Sequence, residues 1–226
     1  ELQALLNIAA DYSATVIMDS VFSGLEFLPE NNANRQWDLK KSIHKISEQS
    51  KAEFVLIGGV SKEYAAGGLR FGYSWSTSRK LHKALQNNLS HLPHFTLGYA
   101  FRKLLEAQMA GDKSLLKHLT SQRNILATRA KRLGELLQSQ GWQLIKPAGG
   151  LFLVAKPLAY INKHKIDAVE AGDNICALLF EQQNIAINNA TWTGLPGYCR
   201  FVLSTSEVDF EQALQRLTAF GSLENL

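Results

Sequence analysis

Two short apolar runs constrain this chain more than anything else in it. Residues 14–18 (ATVIM) and 53–57 (EFVLI) are rich in β-branched side chains, and they end at Asp19 and at Gly58-Gly59 respectively. Runs of that length and composition read as strands buried on both faces. Between them comes a polar loop with Pro29, Asn31, Asn32 and Asn34. A helical stretch over 37–48 follows, with Leu39, Ile43 and Ile46 on one face. Buried strands alternating with helices favour a parallel or mixed sheet with flanking helices, the mark of an α/β fold. Ligands of such sheets bind at the carboxyl ends of the strands. Asp19 and the segment 59–62 fall at such ends, which puts an acid and a lysine on one rim. A small, glycine-rich stretch over 61–68 leads to a third expected strand at 69–75.

The remainder divides in two. The first residues already carry a helical pattern, Leu2, Leu5, Leu6 and Ala9, so the sequence reads as a piece of something longer. Helical spacing dominates 78–140. Its longest run, 112–140, has Leu115, Leu119, Gln122, Leu126, Leu133 and Leu137 near one stripe. Asp112 suits its N-cap and Gly141 its stop. Beyond it, short strands at 144–146, 151–155, 185–188 and 200–204 alternate with helices at 167–183 and 207–220. The expected organisation is a large domain over 1–140, including the long helix, and a small α+β domain over 141–226.

Composition excludes several classes. At 226 residues, 46% hydrophobic and 19% charged, the chain can bury a sizeable core and does not read as disordered. A net charge of +4 without a run of like charges does not make the basic stripe a nucleic-acid protein needs. Cys176 and Cys199 have no CxxC spacing, which argues against a metal site and for packed thiols in a cytoplasmic protein. His44, His82, His91, His94, His118 and His164 show no ligand spacing, and Pro93 between His91 and His94 favours a loop. No apolar run reaches 18 residues, so no membrane span is expected, and the start lacks signal-peptide character.

The most informative stretch is Ser61-Lys62, then glycines at 67 and 68, Arg70 eight residues after the lysine, and Gly72-Tyr73. Ser-Lys alone carries no meaning, and a surface lysine beside a strand arginine is its plain alternative. With a buried strand before it and Asp19 upstream, the pattern resembles the lysine motif of the fold-type I aminotransferases, enzymes dependent on pyridoxal phosphate (PLP). The resemblance implies the C-terminal part of that fold, an amino-acid substrate and a homodimer. It places Lys62 as the lysine that links covalently to the cofactor, with Ser61 beside it. Only lysine offers the required primary amine. The resemblance makes Asp19 the partner of the cofactor's ring nitrogen, where a carboxylate favours the charged form. A strand-end Asp capping a turn is the alternative. Arg70 would serve the phosphate, which suits a guanidinium fork.

Two later segments fit the same family. Gly149-Gly150-Leu151-Phe152 resembles the strand entry of its small domain, and Arg200 stands where the family carries its substrate-carboxylate arginine. An arginine on a short apolar strand is costly to bury alone. A carboxylate clamp explains it, and so does an internal salt bridge.

Two positions depart from the pattern. The family usually has Tyr where this chain has Phe22, which cannot donate a hydrogen bond to the cofactor, and often Ser where it has Gly59. The family's phosphate loop and ring-stacking aromatic lie upstream of the matched part. A narrower resemblance accommodates this. Asp19, Phe22, Gly24 and Phe27, then Trp37 and Leu39, then Gly58-Gly59 look like the C-terminal region of the methionine S-methyltransferase family, in which an aminotransferase-like region follows a methyltransferase domain. That implies an N-terminal remainder of the same polypeptide as a partner. Three functions stay open: a PLP-dependent transferase, a non-catalytic ligand-binding or regulatory module, and an interaction domain using the helix at 112–140.

Overall fold

The structure is a computed structural model. It describes residues 1–27, 35–89 and 95–222, and the side chains of all of these except 35–40 and 222. The expected loop at Pro29, Asn31, Asn32 and Asn34, the side chains of Trp37 and Leu39, and the His91–Pro93–His94 segment lie outside the described residues. The chain forms two units, Glu1–Arg123 and Asn124–Leu226. The division falls inside the long helix, whereas the sequence places it near Gln140.

In the first unit, helix α1 (Leu2–Asp11) leads to β1 (Thr15–Asp19), α2 (Arg35–Glu48), β2 (Glu53–Gly59), the single-turn α3 (Val60–Glu63), a 3-10 turn at Gly67–Leu69, and β3 (Gly72–Ser76). Helices α4 (Arg79–Asn87), α5 (Phe95–Met109) and α6 (Lys113–Ser139) follow, the last running on into the second unit. Among the described residues the sheet has the order β1-β2-β3. β1 and β2 are parallel, with Val16 opposite Phe54 and Asp19 opposite Ile57. β3 is antiparallel to β2, so of the parallel or mixed sheet expected the mixed form is the one built. The reason is the short link over 60–71. It turns back at once, with the Val60 amide donating to the Phe71 carbonyl at 3.2 Å. A parallel crossover usually needs a full helix.

Strand alternation sorts the side chains. Val16, Met18, Phe54, Leu56 and Trp75 share one face, which packs against Leu6 and Ala9 of α1 and Ile43 and Ile46 of α2. Phe54 and Leu6 are fully buried, and each such side chain contributes roughly 1.5–3 kcal/mol. On the other face Ile17 is 64% exposed. A second cluster joins Val60 and Tyr64 to Phe101 of α5 and Leu119 of α6.

The second unit contains the rest of α6, then β4 (Gln143–Ile145), β5 (Phe152–Lys156), α7 (Leu158–His164), α8 (Ala168–Gln183), β6 (Asn188–Asn189), β7 (Cys199–Val202) and α9 (Glu207–Ser222). Its sheet has the order β4-β5-β7-β6, all antiparallel. Asp112 caps α6 through the Leu115 amide at 2.9 Å, and Gly141 ends it at a φ of +76°, both as the sequence predicts. Leu126, Leu133 and Leu137 of the α6 stripe are buried, as are Leu153, Phe201 and Phe210 of the same unit. The strand expected over 185–188 is reduced to Asn188–Asn189, which alone pair with β7; Ile185 is buried ahead of the ladder. Helix α7, which the sequence pattern does not reveal, follows directly on Pro157.

Candidate functional site

Because β1 and β2 run parallel, Asp19 and Gly59 end on the same edge of the sheet. The turn after β1 is fixed from both sides. The Ser20 amide and hydroxyl each donate to the Ile57 carbonyl at 2.8 Å. One carboxylate oxygen of Asp19 accepts from the Val21 amide at 3.0 Å. Asp19 is therefore a turn cap, as the plain alternative has it. It is also exposed, so its other oxygen remains available for a ligand.

Residues 20–24 fold back onto α3. Gly24 sits at a φ of +99°, and a Cβ there would come 2.7 Å from Cγ of Glu63, which is itself buried. That close approach sets Phe22 beside the lysine, with the Lys62 Nζ 5.9 Å from its ring centroid. Lys62 is half-buried and forms no ion pair among the described residues. Its backbone carbonyl accepts from Nε2 of Gln122 on α6 at 3.1 Å. Gln122 is a contributor that residue-type reasoning passes over, although an amide within an apolar stripe is a visible signal. Beneath α3, burial pushes the Tyr64 phenol well above its usual range, with the Glu63 and Tyr73 charges adding to it. Tyr64 stays protonated and donates to Gln108.

Ser61 is half-buried next to Lys62. Arg70 closes the loop in a left-handed conformation, φ +50°, and one guanidinium nitrogen donates to the Gly67 carbonyl at 3.3 Å. The rest of its fork is exposed and free for an anion. Asp19 thus ends β1, Phe22 lies in the turn after it, and Ser61, Lys62 and Arg70 lie in the link from β2 to β3. Gly58 is required by packing, since a Cβ there would collide with the Tyr73 ring at 2.4 Å. Gly59 is not. Its backbone is extended, and a Cβ would meet only the Phe71 carbonyl at 3.4 Å.

Arg200 lies in the second unit, on β7 between Val154 of β5 and Asn188 of β6. Its guanidinium is held between two rings, 4.5 Å from Phe152 and 4.9 Å from Trp192. One nitrogen donates to Asn188 at 3.3 Å, and the buried Nε has no partner among the described residues. Among the described residues no carboxylate pairs with it, so the internal salt bridge is not what holds it. The structure joins two motifs that the sequence shows separately, because Phe152 of the glycine-led strand is one wall of the Arg200 sandwich. Trp192, 70% exposed, is the wall that the sequence does not announce.

A cavity of about 380 Å³ lies elsewhere in the first unit, lined by Lys41, His44, Leu56, Tyr73, Trp75 and Phe101 among others. Its lining includes none of Asp19, Lys62 or Arg70. Among the described residues no group of His, Cys, Asp and Glu could hold a metal ion, and no helix is long and apolar enough to cross a membrane.

Comparison with known proteins places the chain in a family and a fold. The model of the family "Aminotransferase class I and II" matches residues 1–217. Methionine S-methyltransferase from Wollastonia biflora is 33% identical over 238 aligned positions, covering 99% of this chain and 21% of that protein. Aspartate aminotransferase from Bacillus sp. (strain YM-2) is 24% identical over 97% of this chain and 52% of its own length. Among solved structures, a Thermus thermophilus aspartate aminotransferase single mutant superposes with a TM-score of 0.72 at 20% identity, covering 96% of this chain and 51% of that one. This chain therefore spans about a fifth of the first relative and half of the others. With its mixed sheet, flanking helices and small α+β unit, it is the C-terminal part of the aminotransferase-like α/β fold, and it belongs to the class I and II aminotransferase family.

Proposed function

We propose that this chain is the cofactor-lysine half of a cytoplasmic, dimeric PLP-dependent transferase acting on an amino acid, and that the whole protein resembles methionine S-methyltransferase. One observation carries the reading: Asp19 at the end of β1 and Lys62 and Arg70 in the link just after the adjacent, parallel β2 fall at the same edge of the sheet, and Lys62 is free of any ion pair among the described residues. These residues fit PLP at three points. Asp19 would keep the ring nitrogen protonated through its second carboxylate oxygen. Lys62 would supply the primary amine, with Phe22 as the apolar wall beside it. The open fork of Arg70 would hold the phosphate, with the Ser61 hydroxyl nearby. When bound, PLP supplies an electron sink for reactions at the α-carbon of an amino acid. Arg200 would bind the substrate carboxylate, its plane fixed by Phe152 and Trp192.

A second reading is favoured by Phe22 and Gly59: a ligand-binding or regulatory module appended to a methyltransferase domain, without turnover. Absorbance of the full-length protein with added PLP separates the two. The transferase reading expects a near-visible band that Lys62→Ala abolishes, and borohydride reduction that leaves the cofactor's mass on the Lys62 peptide. Absence of both in the full-length protein overturns it.

A further inference from the structure

The chain contains two cysteines, Cys176 and Cys199, which the site described above does not use. Cys176 is on α8, half-buried; Cys199 is on β7 and fully buried. They are 23 positions apart in sequence, yet the fold brings their elements into close contact. Two glycines permit this. A Cβ at Gly172 of α8 would stand 3.6 Å from the backbone of Gly197, and one at Gly197 would come 2.7 Å from the Ala168 Cβ. Helix and strand entry therefore meet backbone to backbone. The Cys199 sulfur lies 3.7 Å from the Gly172 carbonyl oxygen. That carbonyl belongs to the turn of α8 leading to Cys176, four residues on and on the same side of the helix.

We propose that Cys176 and Cys199 are a dithiol pair that a hydroperoxide converts to an intramolecular disulfide joining α8 to β7. The half-exposed Cys176 is the thiol that a small oxidant reaches first. Its pKa is lowered chiefly by the hydrogen bond from Cys199, which outweighs its burial and the Asp173 charge. The same hydrogen bond, with burial, pushes Cys199 up and marks it as the donor. Thiolate character of this kind selects the attacking sulfur. The Cys176 thiolate attacks one peroxide oxygen; an S–O bond forms, the O–O bond breaks, and the departing alkoxide or hydroxide takes a proton. The Cys199 sulfur then attacks the Cys176 sulfur. An S–S bond forms, the S–O bond breaks, and the leaving hydroxide takes the Cys199 proton as water. Two thiols lose two electrons in total and the peroxide is reduced by two. The new bond would pin β7, and with it the neighbouring Arg200, to α8.

Peptide mapping of the full-length protein after treatment with hydrogen peroxide tests this. Expected is a peptide carrying Cys176 linked to one carrying Cys199, lighter than their sum by two hydrogen atoms, separated again by dithiothreitol. Cys176→Ser should remove the link and leave Cys199 alkylatable after denaturation. Oxygen adducts on Cys176 with Cys199 still a free thiol would overturn the proposal, and so would a link found only between two chains. Cys176→Ser replaces the half-exposed partner, so the test stands even if Cys199→Ser does not fold.

Discussion

Gln122 on the long helix α6 donates to the backbone carbonyl of Lys62 at 3.1 Å, and so braces the turn that presents the lysine. Its own Oε1 is buried without a partner among the described residues. Gln122→Leu removes the brace and that orphaned oxygen together. The net stability change should stay within about 1 kcal/mol. Hydrogen exchange at the amides of Tyr64 and Ala66, both bonded to the Val60 carbonyl, should rise severalfold. Unchanged exchange there would show that the brace is dispensable.

Gly59 has room for a side chain, and its backbone is extended. Gly59→Ser should therefore fold normally, within about 0.5 kcal/mol of the parent in a denaturant melt. It should also tighten PLP binding, because the hydroxyl restores a donor the family often carries. Phe22→Tyr at a half-exposed ring should act in the same direction. Equilibrium titration by absorbance reads both. Weaker binding in the two variants would mean that these positions do not face the cofactor.

The guanidinium of Arg200 is stacked on two rings, and the outer one, Trp192, is mostly exposed. A cation–π contact of that kind contributes roughly 0.5–1 kcal/mol. Trp192→Leu should weaken amino-acid binding roughly two- to fivefold. Arg200→Ala should abolish the carboxylate-dependent part altogether. Calorimetric titration of the full-length protein compares them.

Arg132 on α6 pairs with Glu211 on α9 through both carboxylate oxygens, one at 2.7 Å. Hydrogen bonding to Arg132 holds the Glu211 carboxyl below its usual range. The folded-state pKa lies below the unfolded one. The contribution is thus complete above the ordinary carboxylate range and disappears as pH falls through the folded value. Urea midpoints measured from neutral to acid pH should decline less steeply in Glu211→Gln than in the parent. Parallel curves would refute the assignment.

Gly197 combines a left-handed φ of +78° with a position where a Cβ would approach the Ala168 carbonyl oxygen at 2.8 Å. Backbone cannot give way there as a side-chain tip can. Gly197→Ala should cost about 1–3 kcal/mol by thermal or denaturant melting. Gly68→Ala, where a Cβ would meet nothing within 4 Å, is the control.

Periodicity carries a great deal of this fold in the sequence. The stripe at Leu119, Leu126, Leu133 and Leu137 and the cap at Asp112 anticipate α6 closely, because a long amphipathic helix repeats its signal over many turns. Strand direction is a different matter. An apolar run at 69–75 has the same composition whether it runs up or down; only the brevity of the link from Val60 to Phe71 turns β3 against β2. At the candidate site, residue type and spacing bring Asp19, Lys62 and Arg70 into one reading. They say nothing of Gln122 reaching the Lys62 carbonyl from 60 positions away, or of Trp192 closing over Arg200. Such contacts arise from packing between elements, which no local pattern encodes.

Arg129 on α6 donates to the carbonyls of Leu203 and Thr205 and pairs with Glu207, spanning 74, 76 and 78 positions of sequence. All the strands of the second unit, though not α9, lie inside that loop. Its ends must meet before those bonds can repay the chain entropy lost in bringing them together. A contact of such long range places the turn from β7 to α9 among the slow events of folding. The strand that carries Arg200 acquires its final register only when α6 and the turn into α9 have found each other.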